Sequence, residues 1–84
     1  MAAGGPGDHP LTDILNFRLP VYGTEADDII RQLDQLMGRQ RLGTWFEENR
    51  LWSMPPNDVL KKVSVTRDQE LKRAKAAGWE VPAP

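Results

Sequence analysis

The sequence predicts an all-α fold: a small single domain of about four short helices between two disordered tails. Three observations support this prediction. Apolar residues recur three and four positions apart along most of the chain, as on one face of a helix. The glycines and prolines, seven of each, fall mainly between these runs. At 84 residues the chain has room for one domain only. We place this domain at residues 9–81, with tails at 1–8 and 82–84.

The first helix is predicted over about 10–16, where the apolar residues have helical spacing. Pro10 stands where a first helical turn accepts proline, and Asp8 is in place to cap it. The segment that follows, through Pro20, is typical of an extended connector.

A longer helix is predicted over about 25–37. Thr24 and Asp27 have the spacing of a capping box at its start, and acidic residues fill its first turn, where the helix dipole favours them. Gly38 follows, in the position where a left-handed residue commonly ends a helix. Its apolar face consists of Ile29, Ile30, Leu33, Leu36 and Met37.

A third helix is predicted over about 45–52, after a short connection at 39–43. Thr44 and Glu47 have capping-box spacing at its start. This segment is unusually aromatic for its length, so its side chains are either mostly buried or partly offered to a partner.

The C-terminal part of the domain predicts two short helical segments. The first begins at Pro56 or Asn57, because proline suits a first helical turn. The β-branched run at 64–66 then predicts an interruption, with a final helix over about 67–77 that ends at Gly78.

The composition excludes several kinds of site. Without cysteine there is no disulfide, thiolate zinc site, iron–sulfur cluster or cysteine nucleophile. His9 is the only histidine and borders a glycine-rich tail, so we expect it neither to act in catalysis nor to bind a metal. Adjacent acids such as Asp27 and Asp28 suit helix starts better than a paired-carboxylate centre. We therefore expect no enzymatic activity, no metal and no cofactor.

The chain also lacks the signals of export. Its start has neither the basic nor the apolar region of a secretory signal, and no window approaches 18 consecutive apolar residues. We therefore expect a cytoplasmic protein that does not contact a membrane.

The three tryptophans are the most informative residues for function. Trp45, Trp52 and Trp79 are many for so short a chain, and the first expectation is that they form the core. The alternative is that some anchor a partner, since Trp and Arg are enriched at protein interfaces. We predict a small non-catalytic interaction module that contacts another protein or a second copy of itself. The predicted contact residues are Trp45, Phe46, Trp52, Arg39 and Arg41.

A second hypothesis is DNA binding by the C-terminal half. Residues 1–38 hold two cations and six acids, for a net charge of −4, whereas residues 39–84 hold nine cations and six acids, for a net charge of +3. Residues 58–78 loosely resemble a helix-turn-helix, with a basic second helix. The resemblance implies nucleic-acid contacts by Lys61, Lys62, Arg67, Lys72, Arg73 and Lys75. The overall net charge of −1 makes nucleic acid the less favoured partner.

Overall fold

A computed structural model of the chain describes residues 10–18 and 20–79. These residues form four α-helices and no strand: α1 (Pro10–Leu15), α2 (Thr24–Met37), α3 (Arg39–Glu48) and α4 (Pro56–Ala76), with a 3-10 turn at Leu51–Ser53 before α4. The prediction of an all-α fold with about four helices is confirmed. The predicted tails, Asp8, His9 and the last two residues of the predicted domain lie outside the described residues.

Helix α2 is the centre of the fold, because α1, α3 and α4 all pack against it and its contact with α4 is the most extensive. Its predicted apolar residues are buried except for Met37, which is half-buried at the edge of the core. The core formed around α2 consists of Leu11, Ile14, Ala26, Ile29, Ile30, Leu33, Leu36, Leu42, Phe46, Leu51, Val59, Val63 and Ala74.

The start of α2 differs from the predicted capping box. Gly23, and not Thr24, is the N-cap, and no side chain caps the helix. The Asp27 carboxylate points instead into the preceding loop, where it accepts hydrogen bonds from the backbone N–H groups of Val21 (2.8 Å) and Tyr22 (3.2 Å). Asp27 is only 2% exposed, so these two bonds satisfy a buried charge and fix the loop against α2.

The chain passes from α2 to α3 through a single residue, Gly38. Its backbone dihedrals, φ 87° and ψ 153°, are strongly disfavoured for residues with a side chain. Gly38 therefore ends α2 as predicted, but it also begins α3 directly.

The predicted connection at 39–43 and the predicted helix over 45–52 are wrong, because α3 runs from Arg39 to Glu48. Starting the helix at Arg39 places Leu42 and Phe46 four residues apart on one face, and both are completely buried. Burying Leu42 contributes about 1.5–3 kcal/mol, which exceeds the roughly 1 kcal/mol of a helix cap at Thr44.

The interruption predicted at 64–66 is also wrong, because α4 is continuous from Pro56 to Ala76. β-Branched residues lower helix propensity only by tenths of a kcal/mol each, and the continuous helix buries Val63 and Thr66 against α2. Pro56 occupies the first turn and Gly78, at φ 77°, follows the end, as predicted. The end is a Schellman motif: Trp79 N–H donates to the carbonyl of Ala74 (2.9 Å), and Gly78 N–H donates to the carbonyl of Lys75 (3.0 Å).

The expectation of a tryptophan core is wrong. Trp45 packs partly buried against the edge of the core, whereas Trp52 is 44% and Trp79 46% exposed. Aliphatic residues and one aromatic ring, that of Phe46, fill the interior instead.

Within the described residues, no helix is both long enough and apolar enough to cross a membrane.

Candidate functional site

A groove separates α3 from α4, because both helices pack on α2 and make few contacts with each other. Two adjoining depressions, of about 470 and 500 Å³, form this groove, and both are lined by Trp45, Thr66 and Gln69. We call it the α3–α4 groove. Its apolar lining consists of Met37, Trp45, Met54 and Val65.

Trp45 lies at the centre of the groove, with Val65 on the opposite wall. The Trp45 side chain is half-buried: it packs against the core and lines both depressions. Val65 belongs to α4 and is 57% exposed, which is high for a β-branched apolar side chain. Val65 and Trp45 together give this part of the groove an apolar surface that is open to solvent.

Charged side chains distinguish the two ends of the groove. At one end, the guanidinium of Arg41 lies 3.6 Å from the carboxylate of Glu70, joining α3 to α4, and Arg73 lies 3.6 Å from the same carboxylate. At the other end lie Asp58, Lys61 and Lys62, and no ion pair joins these three groups to another described residue. The charges at this second end are therefore available to a partner.

The structure places only two of the five predicted contact residues in the groove, Trp45 and Arg41. Phe46 is completely buried, so the prediction that it forms part of a contact surface does not fit this structure. Arg39 lies on another face of α3 and forms two hydrogen bonds with the Asp34 carboxylate, at 3.0 and 3.2 Å. The hydrogen bond to Asp34 also raises the pKa of the Arg39 guanidinium.

Trp52 forms a separate surface feature. It lies in the 3-10 turn, where the guanidinium of Arg50 stacks on its ring, 5.1 Å from the centroid. Arg50 has a left-handed backbone, φ 52° and ψ 45°, which is uncommon for a residue other than glycine. The side chain that covers Trp52 thus comes from its own loop, and Trp52 does not line the groove.

The residues proposed for DNA contact do not form a helix-turn-helix, because α4 has no turn at 64–66. Arg67 lies 3.5 Å from Asp68 and Arg73 pairs with Glu70, so both arginines are partly neutralised. Lys72 and Lys75 are exposed and do not line the groove, whereas exposed Lys61 and half-buried Lys62 both line it.

Sequence reasoning missed Met37, Met54 and Val65. The spacing of Val65 from Asp58, Lys62 and Gln69 places these four residues on one side of a helix, but this pattern is visible only if α4 is continuous. The predicted break at 64–66 concealed it.

Among the described residues, no group of three or more acidic or histidine side chains lies close enough to hold a metal ion. Both carboxylate oxygens of Asp27 accept backbone hydrogen bonds. No buried side-chain nitrogen or oxygen in the described part of the chain lacks a hydrogen-bond partner.

Comparison with models of protein families, with curated proteins and with solved structures finds no match to this chain.

Proposed function

We propose that this protein is a small, non-catalytic, cytoplasmic interaction module that binds another protein chain through the α3–α4 groove. The observation that supports the proposal most strongly is the pairing of half-buried Trp45 with exposed Val65 across the groove. Trp is the residue most enriched among those that dominate binding energy, and it acts best in a pocket from which water is excluded. A partner that covers Val65 would complete that exclusion.

The groove has the form of a site for a helix. It is an open depression between two helices, with apolar residues along its floor and charged residues at both ends. Amphipathic helices bind such grooves through apolar side chains three and four residues apart. The charges at the ends then fix the direction of the bound helix.

Site-specific photo-crosslinking tests this proposal. A photoreactive phenylalanine analogue is placed at Val65, in the groove, and as a matched control at Gln35, an exposed residue of α2. In the cells that naturally produce this chain, we expect crosslinks to a protein from position 65 and not from position 35. No crosslink from position 65, or equal crosslinking from both positions, would contradict the proposal.

Binding by the purified, identified partner provides the quantitative check. Val65→Glu puts a charge in the apolar centre of the groove, and we expect at least about tenfold weaker binding by calorimetry. Gln35→Glu adds the same charge on α2 and should leave the dissociation constant unchanged. Because Val65 is largely exposed, the variant should keep its fold, which far-UV circular dichroism checks.

Nucleic-acid binding is the second candidate function, and one observation favours it: exposed Lys61, Lys72 and Lys75 form no ion pair with another described residue. Acidic Asp58 and Asp68 on the same helix oppose it, because they would repel phosphates. Titration with a duplex at about 50 and 200 mM salt tests it, since phosphate contacts give affinity that falls steeply with salt. Absence of binding at the lower salt concentration would exclude this function.

A further inference from the structure

We infer that the partner bound at the α3–α4 groove is a second copy of this chain, in a two-fold symmetric dimer with antiparallel α4 helices. The inference rests on the proposed function and specifies its partner. In a two-fold dimer the same surface is used twice, so each groove must carry both the apolar side chains that fill the other and the charges that match it. The groove carries both.

The first requirement is a patch that can pair with itself. Val65 protrudes from α4 at the edge of the groove, and Trp45 and Met54 line the groove beside it. When two copies meet with the symmetry axis beside Val65, each Val65 is covered by the other copy. The apolar residues then lie at the centre of the interface and the charged residues at its rim, as in typical protein interfaces.

The second requirement is that opposite charges meet when α4 packs against the oppositely directed α4 of the second copy. Asp58, Lys62, Val65, Gln69 and Arg73 follow one another at steps of four, three, four and four residues, which places them along one side of the continuous helix α4. With α4 antiparallel to its copy about a point midway between Val65 and Thr66, Asp58 lies opposite Arg73 of the second copy, and Lys62 lies opposite its Gln69. Two-fold symmetry forms each contact twice.

Both members of the charged pair are available. Asp58 is exposed at one end of the groove and forms no ion pair with another described residue. The Arg73 side chain is 67% exposed, and its contact with Glu70 is a long 3.6 Å; Glu70 retains Arg41 when Arg73 turns away. Fifteen residues separate Asp58 from Arg73, so the two contacts lie about 22 Å apart along the interface.

Analytical ultracentrifugation of the full chain tests the dimer. Over about 5–500 µM protein at about 50 mM salt, we expect a monomer–dimer equilibrium, since small interfaces give weak, micromolar association. Asp58→Arg creates two repulsive contacts with Arg73 and should weaken dimerisation at least about tenfold. Arg73→Asp should do the same. A strictly monomeric wild-type chain over this range overturns the inference.

Mixing the two variants provides the decisive measurement. A chain with Asp58→Arg and a chain with Arg73→Asp are each self-repelling, but together they restore both opposite-charge contacts, so the mixture should form a heterodimer with near wild-type affinity. Failure of the mixture to associate overturns the proposed arrangement of the two α4 helices.

A matched control separates partner contact from effects within α4. An acid in the first turn and a base in the last turn also suit the helix dipole. Lys75→Asp makes the same charge change in the same last turn, but on the side of α4 away from the groove. It should leave dimerisation unchanged. If it weakens the dimer as much as Arg73→Asp does, the effect comes from the helix dipole or net charge, and the inference fails.

The crosslinking experiment distinguishes this inference from the proposed function. A crosslink from position 65 to a second copy supports both. A crosslink to a different protein, with a monomeric purified chain, overturns the dimer and leaves the interaction module supported. If position 65 forms no crosslink at all, the proposed function as an interaction module is contradicted as well.

Discussion

Two glycine substitutions only five residues apart should have opposite effects on stability. Gly38 has φ 87° and ψ 153°, and an alanine in this region costs about 1–3 kcal/mol. Gly43 lies inside α3, and alanine in place of glycine within a helix stabilises by about 0.5–1 kcal/mol. At both positions a Cβ atom would meet no atom within 4 Å, so packing does not obscure the backbone effect.

Urea unfolding, followed by far-UV circular dichroism at 25 °C, measures both changes. We expect Gly38→Ala to be less stable and Gly43→Ala more stable than the wild type, with free energies of unfolding that differ by about 1.5–4 kcal/mol. The dependence on urea should stay constant, because neither change alters the surface that unfolding exposes.

The result discriminates between two starting points for α3. If the helix began near Thr44, Gly43 would lie in a connection, and Gly43→Ala would not gain the helical preference of alanine. A neutral or destabilising Gly43→Ala would therefore refute the start at Arg39. A neutral Gly38→Ala would refute the single-residue joint between α2 and α3.

Three further predictions concern the core and the loop before α2. Leu42→Ala should destabilise by about 2–5 kcal/mol in urea unfolding, because its side chain is completely buried; a change below about 1 kcal/mol would contradict its place in the core. Asp27→Ala should cost about 3 kcal/mol, because the N–H groups of Val21 and Tyr22 lose their acceptor; full stability in this variant would contradict the role of the carboxylate. Burial, with a smaller effect of the Asp27 charge, raises the pKa of the Tyr22 phenol from 10.0 to about 12, so its stabilisation is present below pH 10 and lost as the pH rises toward 12. With rising pH the free energy of unfolding of the wild type should therefore fall, and Tyr22→Phe should make that fall smaller by about 1 kcal/mol. This is less than the roughly 2.7 kcal/mol that corresponds to two pKa units, because the side chain is only half-buried. An equal pH dependence of stability in wild type and variant between about pH 9 and 11.5 would contradict this prediction.

The helices that sequence predicts well are those whose ends coincide with backbone-breaking residues. Pro10 and Pro56 lie in first turns, and Gly38 and Gly78 follow helix ends, because their preferences act at single positions and need no tertiary contact. The start of α3 could not be predicted in the same way. Its capping-box signal at Thr44 is local, but the burial of Leu42 decides the outcome, and burial depends on where α2 lies.

In the candidate site, too, local sequence predicts some features, whereas others depend on burial against α2. Trp45 was predicted as a contact residue, and it lines the groove; the adjacent Phe46 was also predicted but is buried. Neighbouring positions on a helix point about 100° apart, so one aromatic of the pair faces α2 and the other the groove. Which one faces α2 is set by Leu42, four residues before Phe46, and only the correct helix start reveals that pairing.

The continuity of α4 connects the core to the proposed dimer. Its buried face, with Val59 and Val63, packs on α2, so the rotation of the helix about its own axis is fixed by the core. That rotation turns Val65 toward the groove. A break at 64–66 would change the direction of the second half, and Arg73 would no longer share a side with Asp58. The β-branched residues at the centre of α4 therefore reduce helix propensity at the point where the dimer most needs a straight helix, and burial against α2 compensates for that loss. Substitutions that loosen this packing, such as Val63→Ala, should weaken dimerisation as well as folding, although Val63 is completely buried and cannot touch the second copy.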